Sequence, residues 1–326
     1  MRWPLARLLP SETKFNFVRL APFAAVLSAL AIAGSCASFL VQGLNLGVDF
    51  AGGTTIEVST KGRAPIGLIR SAVGRAGAED TQVQEVGDGH AATVKFKSVR
   101  GVDQSDPTLG VEKIRSVLSA TVPGISFNSV SAVGPTVSGE LFTSGLLALG
   151  IAMGLMLMYI WFRFQLQFGF GAVIAIFHDV LLTMGVLSAL QIEFSMTSIA
   201  ALLTVIGYSM NEKVITFDRL RENLRKYKKR PLSEVINLSE NERLSRTLIT
   251  GTTALLALVG ALFMGGPALF PLVFTMVFGI LIGTYSSIYV ALPVILLWGV
   301  KRSDEEAKPI DWTPAGRSNS RSTPRP

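Results

Sequence analysis

Seven residues have chemistry at odds with their surroundings: His178, Asp179, Asn211, Glu212, Lys213, Asp218 and Arg246 lie within or beside strongly apolar runs. A charge inside hydrocarbon costs at least about 3 kcal/mol, so each needs a partner, water or a task. His178 and Asp179 sit in the middle of one run, in Ile176-Phe177-His178-Asp179-Val180. Helix neighbours point about 100° apart, so the two are expected to address different helices rather than share one partner. A hydrogen-bonded pair that fixes helix packing is an equally good reading of them.

Glu212 and Lys213 fall seven and six residues before Arg219, roughly 10 Å below a basic edge at 1.5 Å per residue. Lys213 has the reach to snorkel to that edge. Glu212 reaches less far, and burial penalises a charged carboxylate, so in a dry site it can take up and release protons. Asn211, a turn beyond Gly207, can hydrogen-bond across helices, and Asp218 follows in Phe217-Asp218-Arg219. Arg246, at the start of the next apolar run, approaches from the same side and is expected to pair with Glu212. Such a pair has the parts of a switch, charged beside arginine or neutral when protonated. A static salt bridge closing a bundle uses the same parts. The chain offers no Ser/His/Asp set, metal-ligand spacing or nucleotide loop, so neither an enzyme, a cofactor nor a metal is expected.

The elements that hold these residues have to span a membrane. The 326 residues are 49% hydrophobic and only 16% charged, against about a quarter charged in soluble domains. Six stretches, about 20–42, 141–162, 167–190, 194–217, 247–265 and 270–299, reach the roughly 20 residues a crossing requires. The first is too long for a removable signal peptide and reads as a retained anchor. The net charge of +7 lies beside these runs, so topology explains it and no nucleic acid is expected. Lys and Arg cluster in residues 1–19, at Arg163, in a loop 219–246 and after 300, while Gln191-Ile192-Glu193 and Gly265-Gly266-Pro267 carry none. Both termini are therefore expected in the cytoplasm, and segment 43–140 on the opposite side. The tail 301–326, rich in Pro, Ser and Arg after Lys308, reads as disordered.

The outward segment alternates strand and helix patterns: strands at 54–60, 82–86, 92–97 and 125–133, helices at 65–76 and 108–120. Gly87-Asp88-Gly89 turns the middle pair, and His90 beside it reads as solvated. The order βαββαβ is that of a ferredoxin-like sandwich, suited to docking. The fold class expected is thus an integral membrane all-α bundle of six transmembrane helices, 20–42 and 141–300, with one inserted α+β domain. Gly145, Gly150 and Gly154, then Gly279, Gly283, Ser286 and Ser287, are spaced for close helix approach. Cys36, the single cysteine, reads as a small residue packed in its helix.

Three stretches together resemble the SecF family of bacterial protein-export membrane proteins, within the SecD/SecF group of the resistance-nodulation-division superfamily. They are Gly47-Val48-Asp49-Phe50-Ala51-Gly52-Gly53-Thr54, Phe177-His178-Asp179, and Gly207-Tyr208-Ser209-Met210-Asn211-Glu212 with Phe217–Asn223. Ser245–Thr250 and Ser286–Tyr289 extend the resemblance over nearly the whole chain. It implies a bacterial inner-membrane protein paired with SecD beside the SecY-SecE-SecG channel. There the proton-motive force promotes late export of a translocating polypeptide. By position, Glu212 stands at the family's intramembrane acidic site, where aspartate is usual, and Arg246 at its arginine. Lys213 stands where Ser or Thr is usual, and a lysine there would hold Glu212 ionised. Other readings of the same residues are half of a proton-coupled small-solute transporter, or a purely structural translocase subunit.

Overall fold

The computed structural model describes residues 13–86, 89–103 and 107–300. The tail after Lys308 and the first two residues of the Gly87-Asp88-Gly89 turn lie outside them. Five helices are long and apolar enough to cross a membrane: Phe17–Val41, Thr136–Arg163, Leu166–Ala189, Leu232–Met264 and Leu269–Trp298. The chain is a multi-pass membrane protein. A further helix of 31 residues, Met196–Lys226, is set apart by its charged residues but packs among the other helices.

In chain order, α1 (Phe17–Val41) is capped by the Asn16 side chain, which accepts from the Arg19 amide at 3.0 Å. Its buried residues beyond Phe17 are small, Ala24, Ser28, Ser35 and Ser38, so it can approach α6 (Leu166–Ala189) closely. Ser35 abuts Gly185, where no side chain would fit, and Ser38 Oγ lies 2.8 Å from Ser188 Oγ. Cys36 is exposed, contrary to the expectation that it packs, because Ser35 and Ser38 hold the inward face.

The soluble unit follows a one-turn helix, α2 (Val48–Ala51). It comprises β1 (Gly53–Ser59), α3 (Ile66–Arg75), β2 (Ala78–Glu79), β3 (Gln82–Val86) and β4 (Ala91–Phe96), then β5 (Ser98–Val99), α4 (Pro107–Thr121) and β6 (Ser126–Val133). The four longer strands form one sheet in the order β3-β4-β1-β6, every neighbour antiparallel. In β1 and β4 alternate residues are buried, the period of a sheet with one covered face. Ile56, Val58, Val94 and Phe96 meet Ile69, Val73, Ile114 and Leu118 of α3 and α4 in a core separate from that of the bundle. The small β2–β5 pair is additional to the expected pattern, and His90 is exposed as expected.

The unit is tied to the bundle at its base. Phe50 of α2 packs on Phe142 and Phe194. The Gly47 amide donates to the Phe194 carbonyl at 2.9 Å, and Lys95 Nζ meets Glu193 Oε2 at 2.6 Å.

The bundle continues through α5 (Pro135–Arg163), α6, α7 (Met196–Lys226), α8 (Leu232–Met264) and α9 (Gly266–Ser286). A π-helical turn, Ser287–Ala291, then leads to α10 (Leu292–Trp298). Pro293 lacks the N–H that the Tyr289 carbonyl would receive in a regular helix, and the wider turn relieves the mismatch. Gly279 and Gly283 abut Val205 and Ser209 of α7, and Gly145 abuts Ile199. Gly150 and Gly154, expected to share in such packing, face open space. The segment 219–246, expected as a loop, is instead a helical hairpin of α7 and α8 around a short turn before Pro231. Polar contacts replace lipid as its support: Arg219 Nε to Glu242 Oε2 at 2.8 Å, and Asn223 Nδ2 to Glu242 at 2.6 Å and Ser239 at 3.0 Å.

Candidate functional site

The long helix α7 carries the site, and its ends are fixed on different supports. At its N-terminus the Met196 amide donates to Asp49 Oδ2 at 3.0 Å, a carboxylate at the positive end of a helix. Asp49 belongs to α2, so the stem of the soluble unit holds the helix that carries Glu212.

Two buried charge clusters meet along α7. In the first, Lys213, with no exposed surface, donates to Asp179 Oδ2 at 2.8 Å, to Ser286 Oγ at 3.0 Å and to Ser209 Oγ. These use its three donors. Asp179 Oδ2 also accepts from Ser209 at 2.5 Å and Ser286 at 2.8 Å. His178 Nδ1 lies 3.1 Å from Asp179 Oδ1, and Nε2 lies 3.2 Å from Ser28 Oγ of α1. The chain of contacts runs on through Tyr285, whose hydroxyl lies 2.9 Å from Ser28 Oγ and donates to the Ala24 carbonyl at 2.8 Å.

In the second cluster, Glu212 Oε1 accepts from Arg243 NH1 at 2.6 Å and from Thr247 Oγ1 at 2.5 Å. Glu240 faces the other side of the same guanidinium, with Arg243 Nε at 2.8 and 2.9 Å and NH2 at 2.6 Å. Glu212, Glu240 and Arg243 are each at most 4% exposed. Ser286 touches the first cluster, and the next residue, Ser287, accepts from Arg243 NH2 at 3.1 Å in the second. The two clusters thus meet at the start of the π-helical turn, a feature that often marks functional sites.

Several expectations are corrected. Glu212 pairs with Arg243 and not with Arg246, which is exposed. The reason is the early start of α8: Glu240, Arg243 and Thr247 follow at helical spacing on its inner face, and Arg246 is turned about 100° from Thr247. Lys213 does not snorkel, because Asp179 of the neighbouring helix is within reach. It is Asp179, not Glu212, that takes the lysine's hydrogen bond. His178 and Asp179 do reach different helices, α1 and α7, yet also contact one another. Asn211 is exposed, and Asp218 forms a half-exposed pair with Arg163 at 3.2 Å, apart from both clusters.

Sequence reasoning misses Glu240 and Arg243 because they lie in the segment 219–246, whose Lys and Arg read as a topology signal. The signal that marks them is spacing: Ile236, Glu240, Arg243, Thr247 and Gly251 recur every three or four residues and are all buried. Among the described residues no cluster suits a metal ion.

A helical membrane bundle with an inserted α+β unit and charges buried along one central helix defines a class of polytopic transport-related proteins. Comparison with known families narrows it. The family described as protein export membrane protein SecD/SecF, C-terminal, matches residues 113–301, and the SecD/SecF GG motif matches residues 37–62. The chain belongs to the SecD/SecF family of protein-export membrane proteins.

It is 43% identical to the protein translocase subunit SecF of Cereibacter sphaeroides over 302 residues, covering 91% of this chain and 93% of that one. It is 42% identical to that of Rhodobacter capsulatus, covering 94% and 95%. Among solved structures it is similar to SecDF, a translocon-associated membrane protein from Thermus, with a TM-score of 0.80 and 29% identity. SecDF in a super-membrane-facing form matches with a TM-score of 0.65 and 31% identity. The matches cover 89% and 91% of this chain but only 39% and 40% of the SecDF chains.

Proposed function

We propose that this chain is the SecF-type half of a SecD–SecF pair that uses the proton-motive force to promote late export of polypeptides through the SecY-SecE-SecG channel. The observation that carries the proton coupling is the buried Glu212, held through one oxygen by Arg243 and Thr247. Protonation of Glu212 removes its attraction to Arg243 and frees α7 to shift against α8 and α9. Because Asp49 binds the first turn of α7, a shift of that helix is passed to the stem of the soluble unit. The unit then moves against the emerging polypeptide.

In this reading α7 is the sixth span, lining the interior with its charges rather than facing lipid. Both termini are cytoplasmic and residues 43–140 periplasmic, which the distribution of Lys and Arg supports. The strand order β3-β4-β1-β6 with α3 and α4 on one face supports a ferredoxin-like unit. The missing remainder of the SecDF architecture is supplied by SecD, and the exposed Asn211 and Arg246 are suited to face it, since polar groups at membrane depth need a protein neighbour.

The test is export of a secreted polypeptide into vesicles carrying the channel, SecD and this chain. Glu212→Gln is expected to abolish stimulation by a proton gradient with the complex still assembled. Full stimulation in that variant rejects the reading.

A further inference from the structure

The two carboxylates on Arg243 are bound differently. The guanidinium donates from Nε to both oxygens of Glu240, from NH1 to Glu212 and Thr247, and from NH2 to Ser287, with NH2 also 2.6 Å from Glu240 Oε2. Glu240 engages it with both oxygens, the geometry of a strong, fixed pair. Glu212 engages it with Oε1 alone, and among the described residues its Oε2 has no hydrogen-bond partner.

Charge counting gives this asymmetry a meaning. Asp179, Glu212 and Glu240 face Lys213 and Arg243, all buried, so three carboxylates meet two cations and one negative charge is left over. The other titratable groups around the two clusters are His178 of α6, which lies 3.1 Å from Asp179 Oδ1, Tyr208 of α7 itself, Tyr285 of α9 and Tyr289 of the π turn. Neutralising the cluster takes one proton.

We propose that Glu240 is the permanent counter-anion of Arg243 and thereby the positioning residue that lets Glu212 exchange that proton. With Glu240 in place, Glu212 can become neutral and leave Arg243 without stranding a buried guanidinium. Without Glu240, Glu212 would be the only carboxylate on Arg243 and would be held ionised. Glu240 is unforeseen by the family resemblance, and its role rests on the reading of Glu212 as the proton-exchanging group.

The experiment is an infrared titration of protonated carboxyl groups in the chain reconstituted with its SecD partner. Wild type, Glu212→Gln, Glu240→Gln and the double variant Glu240→Leu with Arg243→Leu are compared. Wild type should show a carboxyl band that Glu212→Gln lacks. Glu240→Gln is nearly isosteric and removes the surplus charge, so the band's midpoint should move to about tenfold higher proton concentration or beyond. The double variant also removes the cation that holds Glu212 ionised, so its midpoint should move the opposite way, to lower proton concentration than wild type. An unmoved midpoint in Glu240→Gln, or equal shifts in the single and double variants, overturns the proposal. A wild type without a Glu212-dependent band overturns instead the reading of Glu212 on which it rests.

Discussion

Arg243 and Arg246 lie three residues apart, yet only the first should be sensitive to the same substitution. Arg243→Gln leaves Glu212 and Glu240 buried together without their cation, a loss of about 3–5 kcal/mol. Arg246→Gln changes an exposed residue, and the isolated chain should stay within about 0.5 kcal/mol of wild type. Thermal unfolding of each variant in detergent reads both. A second contrast concerns Lys213 and Asp179, which make a buried pair at 2.8 Å. Lys213→Met alone should lower stability by about 3–5 kcal/mol, and adding Asp179→Leu should restore most of it. A double-mutant cycle on unfolding midpoints measures the coupling, and additive losses would show that the two do not act as a pair.

At this scale the residue types were legible in the sequence, because His178, Asp179, Glu212 and Lys213 are conspicuous inside apolar runs. Their partners were not. Pairing depends on which face of α8 turns inward, and that follows from a helix start at Leu232 rather than near 247. The Lys213–Asp179 contact required knowing that α6 and α7 cross where Ser209 and Ser286 leave room for a lysine head.

Among the elements, α7 and α9 approach each other closely through small residues. A Cβ added at Gly279 would collide with the Val205 side chain. Gly279→Ala should therefore cost about 1–3 kcal/mol and spread α9 from α7, whereas Gly150→Ala, which meets open space, should be neutral or better. The N-terminus of α7 offers another test. Asp49→Ala removes the carboxylate that accepts from the Met196 amide, a change worth about 0.5–2 kcal/mol at a helix end. Amide hydrogen exchange in the first turn of α7 should rise, while exchange near Lys213 stays slow. Unchanged protection at Met196 would deny the stem its hold on this helix.

Apolar length and turn residues made most elements readable, including the four long strands. The helical hairpin 219–246 was not, since its support comes from Arg219, Asn223, Ser239 and Glu242 acting across two helices. Such contacts have no signature along one stretch of chain. The π turn likewise becomes visible only once Pro293 is placed inside a continuing helix.

Across the whole molecule, contacts run from the soluble unit through Asp49 into α7, along α7 to Glu212 and Lys213, and outward through Ser286 and Ser287 to α9. A charge change at Glu212 is thereby placed on the same helix that the α+β unit grips. Membership of the SecD/SecF family gives this connection its proposed use, and the matched region covers 39% of a SecDF chain. The most direct measurement is proton flux across sealed vesicles holding this chain with its SecD partner, driven by an imposed gradient. Wild-type vesicles should pass protons and Glu212→Gln vesicles should not, at equal content of assembled complex. Equal flux in the two would contradict proton coupling through Glu212.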